Sequence, residues 1–97
     1  MDHGSEALGR AWGHVRNAAA AFLTEPDPTD EGLFLAAECV DVEGLFTELG
    51  VVPEVVEDGL DAVGSLEQAS EALASVRAVV PLAVWSAVQV LLARARS

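Results

Sequence analysis

The sequence predicts an all-α fold, a compact bundle of four to five helices forming a single domain over 1–97, and three observations lead there. Apolar residues recur at intervals of three and four along most of the chain. No stretch alternates apolar and polar residues in the manner of a half-buried strand, and no turn pair joins two such stretches into a hairpin. With 97 residues and 52% hydrophobic content, the chain can bury one core without staples.

The first helix is expected over about 5–23. Leu8, Ala11, Trp12, Val15, Ala18, Ala19, Phe22 and Leu23 fall on one side of a 3.6-residue wheel, with Arg10, His14 and Asn17 on the other. Gly9 and Gly13 each weaken a helix by about 1 kcal/mol relative to alanine, so packing has to hold it. The second helix is expected over about 28–49. Asp27 suits its cap, Pro28 its first position, Asp30 and Glu31 its first turn, and Gly50 its left-handed stop. Leu35, Cys39, Val42, Phe46 and Leu49 form a core stripe. A strip of small residues on the opposite side, Ala36, Val40 and Gly44 beside Leu33 and Ala37, predicts another helix packed closely there.

A short third helix over about 54–63 would turn Val56, Leu60 and Val63 inward and Glu54, Glu57, Asp58 and Asp61 outward. Ser65, with Gln68 three residues on, makes a capping box that opens a fourth helix over 66–80, striped by Leu66, Ala69, Leu73, Val76 and Val80. Pro81 either kinks that helix or opens a fifth over 82–95. The face of that segment is Val84, Val88, Leu91 and Ala95, widened by Trp85 and Leu92.

Charge is the most informative quantity in the composition. Sixteen acids against five bases give −11, and the arrangement is uneven. Fourteen acids and no Arg, Lys or His lie between Arg16 and Arg77, while all five arginines (Arg10, Arg16, Arg77, Arg94, Arg96) sit toward the ends. Such a surface repels nucleic acid and anionic lipid and attracts basic proteins over a Debye length of about 8–10 Å. The use of Arg without Lys, with abundant Ala, Val and Gly, points to a GC-rich, bacterial genome. The first residues show neither a basic nor an apolar leader segment, and Cys39 has no disulfide partner in the chain, so a cytoplasmic protein is expected.

The candidate chemical sites have simpler structural explanations. Asp27, Thr29, Glu31, Gly32 and Glu38 match the positions of a calcium-binding EF-hand loop, but Pro28 stiffens the segment and a capped helix start accounts for the same residues. Cys39 and His14 are the obvious nucleophile and base, yet Cys39 lies in a core stripe and has no cationic neighbour in sequence to lower its pKa. Ser65-Leu66 is comparable with the phosphopantetheine-bearing Asp-Ser-Leu of carrier proteins, but Gly64 stands where the Asp would be, and capping explains the serine. Residues 78–93 form an apolar run shorter than the ~20 residues needed to cross a bilayer. No metal or cofactor is expected.

What is left is a small acidic non-enzymatic module that docks a basic protein surface through the second and third helices, as an inhibitor, antitoxin, immunity-type or regulatory protein would. Asp41, Glu48, Glu54, Glu57, Asp58 and Asp61 are the expected contacts. The four clustered between 54 and 61 oppose a helix by about 1–2 kcal/mol through like-charge pairs, which a structural role alone does not explain. The alternative is a homo-oligomer, such as a dimer or assembly subunit, joined through the apolar C-terminal helix at Trp85, Val88 and Leu92.

Overall fold

The computed structural model describes residues 3–24 and 29–97. Its elements are α1 (His3–Leu23), α2 (Asp30–Glu48), α3 (Ala62–Ala74), a single 3-10 turn (Arg77–Val79) and α4 (Leu82–Arg96). The architecture is an all-α bundle of four helices. α1 packs on α2 and α3, and α4 packs on the same two, so the helices close a ring around one core. Phe46, Leu66, Leu73, Val15, Val84, Val88 and Cys39 are the largest of its fully buried apolar side chains, with Trp12 stacked on Phe46 at 6.0 Å between ring centroids.

α2 starts at Asp30 because the Thr29 hydroxyl accepts the Gly32 N–H at 3.0 Å. The expected cap and first helical residue, Asp27 and Pro28, lie outside the described residues. The helix stops before Gly50, whose φ of +73° is the left-handed conformation anticipated there. Pro81 separates two helices instead of kinking one. α3 ends at Ala74, six residues short of the expected 80, and Pro81 stands immediately before α4.

The helix expected over 54–63 does not form. Residues 51–61 instead run as a strap with no regular secondary structure along α1. Pro53, the β-branched Val51, Val52, Val55 and Val56, and Gly59 at φ +62° all disfavour a helix locally, and the clustered acids add to this. The strap gains tertiary bonds in exchange. The Glu54 N–H donates to the Gly9 carbonyl at 2.9 Å, and the Asn17 amide donates to the Val56 carbonyl at 2.5 Å. Gly9 and Gly13 make the approach possible. A Cβ at Gly9 would sit 2.5 Å from the Val52 carbonyl oxygen, and one at Gly13 would collide with the Glu54 carbonyl. The two glycines that weaken α1 as an isolated helix are therefore the floor on which the strap lies.

α3 begins four residues earlier than the capping box predicts. Asp61 is its cap, accepting the Gly64 N–H at 2.7 Å, and Ser65 is buried inside the first turns. Among the described residues no helix covers the small strip of α2. Ala36 is buried, but Leu33, Ala37, Val40 and Gly44 face outward, and a Cβ at Gly44 would meet nothing within 4 Å.

Candidate functional site

Two sets of acids emerge, distinguished by what surrounds them. Asp41 and Glu48 on α2 and Glu54 and Glu57 on the strap are exposed. Among the described residues the ion pairs are His14–Asp58, Arg16–Glu43, Arg94–Glu38 and Arg96–Glu67, so none of those four acids is neutralised by a cation of the chain. Asp61 is also exposed, but its carboxylate is engaged as the α3 cap. Arg77 lies over the face of Trp85 at 4.5 Å and adds no acid contact to these pairs.

Asp58 departs from the outward-facing role expected of it. Its side chain is only 10% exposed and sits at the centre of a hydrogen-bonded group that ties the strap to α1 and α3. One carboxylate oxygen takes the His14 Nδ1–H at 2.7 Å, the Ser65 hydroxyl donates to the same carboxylate at 3.1 Å, and the Leu60 N–H donates at 3.1 Å. Partial burial pulls the Asp58 pKa upward, but donors from Leu60, His14, Asn17 and Ser65 outweigh it and hold the carboxyl below its ordinary value of 3.8. His14, placed by periodicity on the polar side of α1, is consequently buried with a partner.

This group has the residue types of a catalytic triad without its connectivity. The Ser65 hydroxyl bonds to the aspartate and not to the imidazole, so the imidazole is not placed to take its proton, and the serine is wholly buried. Cys39 is equally unsuited to attack. Burial in the core, with Glu43 and Glu38 nearby, pushes its thiol up to about 12, so it stays protonated near neutrality.

The remaining site residues named by the sequence are those of the C-terminal helix. Val88 is fully buried and Leu92 nearly so, both in the chain's own core, so in this fold they offer little surface to a second copy. Trp85 is half-buried beneath Arg77. The outward face of α4 is carried by Leu82, Ser86 and Val90 instead. Periodicity could not separate these faces because α4 is apolar on nearly all sides.

At the EF-hand-like segment, Thr29 is engaged in capping and Glu38 pairs with Arg94, while Asp27 lies outside the described residues. Among the described residues no group of three His, Cys, Asp or Glu side chains could hold a metal ion, and no helix is long and apolar enough to cross a membrane. His14, Asn17 and Ser65 are the polar residues that sequence reasoning missed as a working group. The Gly9, Gly13, Asn17 spacing of four, which lines one stripe of α1, was their available signal. No protein-family model, no curated protein and no solved structure matches this chain.

Proposed function

We propose that the chain is a small non-enzymatic binding module that docks a basic protein surface, in the manner of an inhibitor, antitoxin, immunity-type or regulatory protein of the bacterial cytoplasm. The observation that carries this reading is an imbalance at the surface. Three of five arginines are held by Glu43, Glu38 and Glu67, while Asp41, Glu48, Glu54 and Glu57 stand exposed and make no ion pair among the described residues. A net charge of −11 that the fold does not neutralise internally steers a cationic surface toward it and accelerates association at low salt. The protonated thiol of Cys39 and the buried hydroxyl of Ser65 support the non-enzymatic part of the reading.

The test is capture from a native lysate by the wild-type chain and by a variant carrying Asp41→Lys, Glu48→Lys, Glu54→Lys and Glu57→Lys, at about 50 and 500 mM salt. A partner retained at low salt, released at high salt and lost by the variant is the expected result. Retention that ignores both salt and charge reversal rejects the reading. A second reading, self-association through α4, is favoured by the exposure of Leu82 at 69% and Val90 at 51%. A strictly monomeric mass by light scattering up to millimolar concentration eliminates it.

A further inference from the structure

The unpartnered side of α2 narrows what kind of basic surface the module takes. Leu33, Ala37, Val40 and Gly44 lie at i, i+4, i+7 and i+11, a single straight strip about 16 Å long. Leu33 is 45% exposed and Val40 57%, although both sit on a rigid helix whose other side is buried in the core. Asp30, Asp41 and Glu48, spaced by 11 and 7, run along one edge of this strip, and all three are exposed.

We infer that the outward face of α2 binds an amphipathic helix of a partner protein, with small and aliphatic residues along its contact stripe and Lys or Arg along the flank that meets Asp30, Asp41 and Glu48. This deepens the proposal of a basic partner and rests on it. Small residues at 37 and 44 let a helix axis approach closely, while Leu33 and Val40 supply knobs to bury. The charged edge selects the occupant. A second copy of α2 could match Leu33 to Gly44 and Ala37 to Val40 in an antiparallel pair, but it would bring two rows of carboxylates together, and like charges across a contact oppose it. The α4 face of a second copy is no better complement, because Arg94 and Arg96 are already held by Glu38 and Glu67.

The probe is a labelled 18-residue helical peptide bearing a leucine–alanine stripe with lysines on one flank, titrated against the full chain by fluorescence anisotropy at low salt. A peptide of the same composition in scrambled order keeps the charge and loses the stripe. The striped peptide should bind about tenfold tighter or better than the scrambled one. Leu33→Asp and Val40→Asp should each erase that advantage while leaving the circular dichroism and Tm of the protein unchanged, since both side chains stand outside the core. Equal affinity for the two peptides overturns helix docking but leaves the wider basic-surface reading intact. Failure of both peptides to bind overturns it too, and the capture experiment then judges the wider reading separately. A dimer of the peptide-free protein that dissociates in Val40→Asp on sedimentation assigns the strip to a second copy and likewise overturns the inference.

Discussion

Replacing Asp58 with alanine tests whether this residue is a buried fastener of the fold or one more surface acid. In the fold it accepts hydrogen bonds from the His14 ring, the Ser65 hydroxyl and the Leu60 amide. Water can replace it at the Leu60 amide, which is exposed, but Ser65 is wholly buried and the His14 side chain only 7% exposed. Leaving a buried donor unpaired costs about 1–3 kcal/mol, so two of them place the loss near 3 kcal/mol after some relaxation. Against a total stability of about 5–15 kcal/mol this is severe, and it corresponds to a Tm lowered by about 10–20 °C for a domain of this size. The pH dependence supplies an independent check. The pKa of Asp58 is lowered in the folded state, so its stabilisation is complete above the ordinary value of 3.8 and disappears as pH falls through the folded value. Urea unfolding of both proteins at neutral pH and at successively lower pH should show the gap between them closing below about pH 4. A loss under 1 kcal/mol at neutral pH, or a gap that does not shrink in acid, would refute the fastening role.

Three further outcomes follow from the same contacts. Glycine to alanine inside a helix ordinarily stabilises by about 1 kcal/mol. Gly44→Ala should show that gain because a Cβ there meets nothing, whereas Gly13→Ala should destabilise by about 1–3 kcal/mol and speed amide exchange at Glu54, because its Cβ displaces the strap carbonyl. Thermal melts showing the same sign for both would be inconsistent with the strap lying where it does. With its thiol pushed up to about 12, Cys39 should present about one thiolate in ten thousand molecules at pH 8, so a thiol reagent should react only as the chain unfolds. Complete labelling of folded protein within seconds would contradict that burial. Finally, Tm should rise when salt is increased from about 10 to 150 mM, since screening relieves the self-repulsion of a −11 chain more than it weakens three exposed ion pairs. A falling Tm would mean that the ion pairs dominate.

The helices were legible where apolar spacing was unambiguous. The stripes of α1 and α2, the core position of Cys39 and the left-handed Gly50 stop all follow from periodicity and from the conformational freedom of glycine. Residues 54–63 were misread because Val51, Val52 and Pro53 just before them, and Val55, Val56 and the positive-φ Gly59 within them, disfavour a helix, while the inward spacing of Val56, Leu60 and Val63 mimics one. The deciding interactions come from α1, some forty residues away, and a wheel drawn on one segment cannot contain them. The same reason hides Asp58. Its partners His14 and Ser65 come from two other elements, and only the fold brings them to it. The site was therefore readable as a charge density but not as a set of roles.

Once those roles are assigned, these acids divide into those the fold uses and those it does not. Glu38, Glu43, Asp58, Asp61 and Glu67 each have work within the fold, as ion-pair partners, a fastener or a cap. Asp41, Glu48, Glu54 and Glu57 have none among the described contacts, and their mutual repulsion opposes the compact state. A cationic partner would remove that opposition, so part of the binding free energy would come from relief inside this chain and not from the contact alone. If such a partner prefers the folded form to the unfolded chain, the relief reappears as stabilisation of the fold, at most by RT ln(1 + [L]/Kd). Under the proposed function, the exposed acids would be both the weak point of the free domain and the source of its response to a basic ligand. That gives thermal stabilisation on titration of a basic peptide the same physical origin as the salt-induced rise in Tm of the protein alone.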